Sequence, residues 1–327
     1  MKPQTIFVVG ECMVELQRVA TGLAYRFGGD TLNAAVYLSR LIDPKHFEVA
    51  YVTALGVDSL SEEMNASWDK EGINTSWVQR LQDKLPGMYL IETDADGERH
   101  FHYWRSDSAA RYWLQGERAE QVCDALANAP FVYLSGISLA ILSPPHRDIL
   151  LSTLAECRSR GGKIIFDNNY RPRLWQSAQT AAEMYQRILL LTDIALLTLD
   201  DEDALYGKAD VAAVITRTRA LGVAEVIIKR GAASCIVEAD GKSVEVMPQQ
   251  VASVVDTTAA GDSFGAAYVA ARLAGRTPEQ AAQAGHRLAA AVIQNPGAII
   301  PADKMPIEHA KHLEQLGDPA FPRFGAN

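Results

Sequence analysis

The sequence predicts an α/β protein with a central, mostly parallel sheet flanked by helices and a small β-strand lid. Three observations carry this expectation. Short apolar runs alternate with amphipathic helical stretches along most of the 327 residues. One strand pair, Gly87–Arg105, interrupts that alternation. Near the end, an apolar-periodic helix opens directly on a run of small residues set between two aspartates.

Taken in order, the strand-like runs are Ile6–Val9, Val49–Ala54, Phe131–Leu134, Lys163–Phe166, Ile194–Leu197 and Glu225–Lys229. Helical patterns fill about 30–42, 60–71, 117–127, 146–160, 177–191 and 209–221, then 262–274 and 278–293. Strands that read as continuous apolar runs and are separated by helices belong in a parallel sheet covered on both faces. Segments GMYLIETD and RHFHYWR read as two strands joined by a turn at Asp94–Gly97, and Cys12–Arg18 has the strand character to join them. Such a hairpin suits a lid over the C-terminal strand edge, where open α/β sheets bind ligands. No internal repeat or linker divides residues 1–327, so the chain reads as a single domain, with lid strands drawn from about 12–18 and 87–105 and a loose terminus after Gly317.

Composition narrows the partners. Lys and Arg number 31 against 40 Asp and Glu, a net charge of −9, with no basic run. Nucleic acid and anionic membrane are therefore poor partners. Cys12, Cys123, Cys157 and Cys235 stand far apart and suggest neither a disulfide framework nor a zinc site. The first apolar run is too short for a signal segment and no run is long enough to span a bilayer, which points to the cytoplasm.

The chemistry concentrates in Asp256–Asp262, DTTAAGD. Small residues let backbone N–H groups approach an anion, and a helix N-terminus aims partial positive charge at the same place. An acid at that rim, Asp262, suits proton removal from a hydroxyl that attacks a phosphoryl group. The sequence has no G-x-x-x-x-G-K-[ST] loop and no G-x-G-x-x-G opening a βαβ unit, so phosphate chemistry falls to this segment. A plain helix cap is the alternative role for Asp262, and satisfaction of local amides the alternative for Asp256.

DTTAAGD resembles the D-T-x-G-A-G-D signature of the ribokinase-like (PfkB) sugar kinases. GGDTLN at Gly28–Asn33, DNNYR at Asp167–Arg171 and NPGA at Asn295–Ala298 resemble that family's other motifs, in its order. GECMVEL at Gly10–Leu16, the strand ending Tyr103-Trp104-Arg105, and NNYRPRLW at 168–175 look most like the members that phosphorylate 2-keto-3-deoxygluconate. The resemblance implies a ribokinase-like fold and transfer of the ATP γ-phosphoryl group to the sugar's primary hydroxyl. Asp262 would be the base and the amides of Ala259, Ala260, Gly261 and Asp262 the anion cradle. ATP and Mg2+ are the implied cofactors, with K+ as a further family feature.

By the same resemblance, Gly28, Gly29 and Asn33 would meet the sugar, with Tyr89, Tyr103, Arg105 and Arg171. The two arginines suit a carboxylate, since a guanidinium matches it two bonds at a time. An ion pair of Arg171 with Asp167 is the structural alternative, and Asp30 reads as an N-cap. Asn169, Lys229, Gly231, Asn295 and Gly297 fall on the nucleotide side. Asp256 would organise a monovalent-cation loop, and Asp201 would act through water on magnesium. Three departures from the family pattern stand out. Ala259 replaces a glycine and fits only if φ stays negative there. Ser234 replaces another glycine, and Glu15 stands where many relatives carry Asp.

His100, His102 and Trp104 share the strand face opposite Tyr103 and Arg105, which suggests a homo-oligomer formed through the lid. A neutral-sugar kinase such as a fructokinase is the enzyme alternative, and a non-catalytic sugar sensor is the alternative of another class.

Overall fold

The computed structural model describes residues 2–19, 21–93 and 99–306; the expected turn at Asp94–Gly97 and the terminus after Gly317 lie outside them. The first part of the chain forms β1 (Gln4–Val9), β2 (Met13–Val19), β3 (Gly22–Gly28), α1 (Asp30–Leu41), β4 (Phe47–Leu55), α2 (Ser59–Lys70), β5 (Val78–Arg80), β6 (Gly87–Thr93) and β7 (Arg99–Trp104). The middle forms α3 (Ala119–Ala127), β8 (Phe131–Ser135), α4 (Gly136–Ala140), α5 (Pro144–Ser159), β9 (Lys163–Asp167), α6 (Ala178–Leu189), β10 (Ile194–Thr198), α7 (Leu199–Tyr206) and α8 (Val211–Ala220). It ends with β11 (Glu225–Lys229), β12 (Cys235–Ala239), β13 (Lys242–Val246), α9 (Ala260–Leu273) and α10 (Pro278–Val292).

Among the described residues the strands form a nine-stranded sheet, in the order β13-β12-β11-β10-β9-β8-β1-β4-β5, and a four-stranded sheet, β3-β2-β6-β7. Pairing from β11 to β5 is parallel, and only the β11–β12 and β12–β13 pairings, at one edge, are antiparallel. Alternation along β1 explains the two-sided core. Ile6 and Val8 pack with α1, α9 and α10 on one face, and Phe7 and Val9 with α3, α5 and α6 on the other.

The lid differs from expectation in one strand. The strand expected at Cys12–Arg18 forms as Met13–Val19 and joins the hairpin by pairing parallel with β6, but Gly22–Gly28 adds an edge strand that the sequence reading left unassigned. Its register sets Arg26 opposite Glu15 and Phe27 opposite Val14. One lid face therefore carries Glu15, Arg26, Tyr89 and Tyr103, with Tyr89 directly opposite Tyr103. The other face carries Val14, Leu16, Phe27 and Met88, which pack on the main core at the base of the lid. Further out on that second face Trp104 is exposed, and His102 pairs with Glu92 at 3.1 Å.

Candidate active site

The parallel strands end on a common edge, and the segments that follow them carry the polar residues. Asp262 lies in the first turn of α9. Its carboxylate does not cap that helix, since it accepts from Asn33 Nδ2 at 2.8 Å, reaching across to α1. Burial pushes the Asp262 carboxyl up to about 7. The nearby charges of Asp30 and Asp167 push the same way, while the Asn33 bond and Lys229 oppose the shift. A carboxyl tuned to this range exchanges a proton readily near neutral pH.

Asp30 is not the expected N-cap. Gly29 holds that position and Asp30 is the first helical residue. Its carboxylate accepts from Asn169 Nδ2 at 2.8 Å, and burial raises its pKa, opposed by hydrogen bonds from Ser135 and the Thr31 amide. Asn33 Oδ1 and Asn169 Oδ1 are buried acceptors with no partner among the described residues. Such atoms are costly unless a ligand or water supplies donors, and a polyhydroxylated ligand would do so.

Three cations of the cleft, Lys229, Arg171 and Arg105, are paired. Lys229 donates to Asp167 at 2.8 Å, so the residue expected on the nucleotide side is held by a buried carboxylate. The alternative considered for Arg171 is thereby corrected: its Nη1 lies 3.3 Å from Asp201 rather than on Asp167, and it also donates to the Tyr170 carbonyl at 2.8 Å. Burial raises the Asp201 carboxyl to about 6 against the pull of Arg171. Arg105 is buried and pairs with Glu11, which Ser108 also engages. Arg105 Nε has no partner among the described residues. Tyr89 donates to Glu15 at 2.5 Å, and Tyr103 is exposed with its ring 5.6 Å from that of Tyr89.

The glycine pair has a packing reason that the sequence concealed. A side chain at Gly29 would start 2.2 Å from the Glu11 carbonyl, and one at Gly28 would start 3.3 Å from the Tyr89 hydroxyl. Gly231 sits at φ 60, in the left-handed region. The Asn295 side chain donates to the Ala291 carbonyl at 2.8 Å and closes the end of α10. Asp256 accepts from the Thr258 amide at 3.0 Å and from the Gly297 amide at 3.1 Å, tying the two loops together. Ser234, where a glycine was expected, engages Glu245 and Arg230.

The anion cradle needs two corrections. Ala259 has φ 61, contrary to the expectation that φ stays negative. Left-handed backbone at a residue with a Cβ costs about 1–2 kcal/mol, and the start of α9 imposes it. Ala259→Gly should therefore raise unfolding stability by about 1 kcal/mol, measured by urea denaturation; an unchanged midpoint would show that no strain resides there. The Ala260 amide, expected in the cradle, donates instead to the Thr257 carbonyl at 3.2 Å. Among the described residues no protein acceptor takes the amides of Gly261 and Asp262, so these donors fit an anionic group such as phosphate.

For metal, no group of three or more His, Cys, Asp or Glu is placed to hold an ion among the described residues. A magnesium ion here would be carried largely by phosphate oxygens and water, as is usual for that ion.

A pfkB family carbohydrate kinase profile matches residues 3–305. The chain belongs to the pfkB family of carbohydrate kinases. Among curated relatives of this pfkB kinase, a 2-dehydro-3-deoxygluconokinase of Escherichia coli (strain K12) is 54% identical over 304 residues, 92% of this chain and 98% of that protein. One of the same name from Dickeya dadantii (strain 3937) is 54% identical over 309 residues, 94% of this chain and 100% of that protein. Among solved structures, a putative ribokinase II from E. coli in complex with ATP and Mg2+ superposes with a TM-score of 0.77 at 21% identity, covering 93% of this chain and 96% of that one. The central sheet with its flanking helices is thus the ribokinase-like fold expected from the sequence.

Sequence reasoning missed two members of this kinase's cleft. Glu11 lies at the end of an apolar strand, where an isolated carboxylate with no local partner was the available signal. Arg26, set opposite Glu15 by the lid register, was invisible because β3 itself was not assigned.

Proposed function

We propose that this pfkB kinase phosphorylates the primary hydroxyl of 2-keto-3-deoxygluconate to 6-phospho-2-keto-3-deoxygluconate. The observation that carries the mechanism is the Asp262 carboxyl, held by Asn33 and raised to about 7 beside the open amides of α9. ATP, bound with Mg2+, supplies the phosphoryl group. Asp262 takes the proton from the attacking hydroxyl, and the Gly261 and Asp262 amides stabilise charge on the transferring group. Asn33, Asn169 and the Gly28–Gly29 backbone meet the sugar hydroxyls, and Tyr89 and Tyr103 wall the lid side. Arg105 and Arg171 receive the sugar carboxylate.

Lys229 neutralises Asp167 so that the polyphosphate does not face that charge, Gly231 and Gly297 let backbone approach the nucleotide, and Asn295 fixes the loop between them. Asp201 orients water on magnesium. K+ enters no step of this reading, since Asp256 already serves local amides. The substrate assignment draws on the 54% identity to relatives bearing that activity in their names. It also draws on two arginines, which a neutral sugar does not need.

Initial rates with MgATP on 2-keto-3-deoxygluconate and on fructose, measured side by side, test the reading. It requires a preference of ~10³ or more for the acid; a preference for fructose would replace it with a neutral-sugar kinase, and no turnover of either with a sensor. The enzyme would act as one catalytic unit in the cytoplasm, where its unpaired thiols remain reduced.

Its second proposed feature is a dimer through the lid, supported by exposed Leu23, Tyr25, Phe101, Tyr103 and Trp104. Trp104→Glu should shift the solution mass to that of one chain. A wild-type mass already equal to one chain would remove the proposal.

A further inference from the structure

Arg26 stands apart from the other cations of the cleft. It lies on β3, on the lid face shared with Glu15 and Tyr89. Its guanidinium crosses to the opposite wall, where a side chain at Gly297 would start 2.4 Å from Arg26 Nη1. The Gly297 amide is bound in turn by Asp256, the first residue of the phosphate-cradle segment. Arg26 thus links the lid to the loop that braces α9. No described carboxylate or carbonyl takes a hydrogen bond or ion pair from it.

The charge balance around it is unusual. Asp30, Asp167, Asp201 and Asp262 interact with one another across the floor of the cleft. Lys229 is paired with Asp167, Arg171 with Asp201 and Arg105 with Glu11. A triphosphate entering this place meets carboxylates whose counter-charges are already engaged. A planar, permanently charged donor set with no partner among the described residues is the group suited to such an anion. Its placement on the lid would couple lid closure to charge neutralisation at the reacting group.

We propose that Arg26 is a catalytic residue of this kinase, a lid-borne cation that contacts the transferring phosphoryl group. This rests on the phosphoryl-transfer reading above. The alternative oxyanion is the sugar carboxylate, but Arg26 reaches the cradle side through Gly297, whereas Arg105 sits at the Glu11 end of the cleft.

The experiment compares wild type, Arg26→Ala and Arg26→Lys. Wild-type turnover of 2-keto-3-deoxygluconate first establishes the parent reading independently. Arg26→Ala should then lower kcat by ~10²-fold or more, with KM for the sugar little changed, partial recovery on adding guanidinium ion, and Arg26→Lys falling between. A second readout needs no turnover. Calorimetric binding of ADP with aluminium fluoride and the sugar, a mimic of the transferring state, should weaken by ~10²-fold in Arg26→Ala while binding of the sugar alone is unchanged. Unaltered kcat and mimic affinity would overturn the proposal. So would a rise in sugar KM with kcat intact, which would assign Arg26 to the carboxylate.

Discussion

Asp262→Asn should lower kcat by ~10²–10⁴-fold, the usual worth of a positioned general base, while the folded enzyme without ligands becomes more stable at pH 8. Both effects come from one cause. The carboxyl is raised to about 7 because its ionised form is buried beside Asp30 and Asp167. Its folded value lies above its unfolded value, so its contribution to stability is fully present below the unfolded pKa, about 4. That contribution is lost as pH rises through about 7. Asparagine keeps the bond from Asn33 and removes the charge. Each unit of displacement corresponds to about 1.4 kcal/mol, reduced here because Asp262 retains some solvent contact. A rise of several degrees in melting temperature at pH 8, absent at pH 4, is the expected signature. The rate carries the same titration. In wild type kcat/KM should climb about tenfold per pH unit below about 7 and level above it. Sugar phosphorylation surviving unchanged in Asp262→Asn would dismiss the mechanism.

Arg105→Lys should raise KM for the sugar acid by ~10–100-fold, as expected when a charge-assisted bond worth about 1.5–3 kcal/mol is lost, and leave the slow reaction with fructose unaltered. Lysine is the informative replacement because of Glu11. Glu11 and Arg105 are both buried and paired, and removing one partner of such a pair typically costs about 3–5 kcal/mol. Arg105→Ala could therefore lose activity by unfolding. Lysine retains a charge for Glu11 but not the second edge of the fork, where Nε lies buried and unpartnered. Equal losses on acid and neutral sugar, with an unchanged melting temperature, would return Arg105 to a structural role. A selective loss on the acid supports the carboxylate clamp.

The sequence by itself determined most of the central strands, the helices between them and the reaction class, but not edge strands such as Gly22–Gly28. Ile6–Val9 and Glu225–Lys229 are apolar runs long enough for buried strands and too short for helices, so their assignment followed from burial on both faces. DTTAAGD was legible because it gathers an acid, small residues and a helix start within a few positions. Partner choice was legible only where it was local, as in the alternation that sets Tyr89 opposite Tyr103 across a hairpin. What the tertiary structure decided are contacts between distant segments. Asn33 holds Asp262 across 229 positions, and Lys229 holds Asp167 across 62. Glu11 holds Arg105 across 94. The sequence could name these charged residues without naming their partners, because the Coulomb and desolvation energies that decide among several carboxylates and cations depend on separation in space and on burial. The left-handed turn at Ala259 was hidden for a related reason: alanine prefers negative φ locally, and only the packed start of α9 against the 256–258 loop overrides that preference.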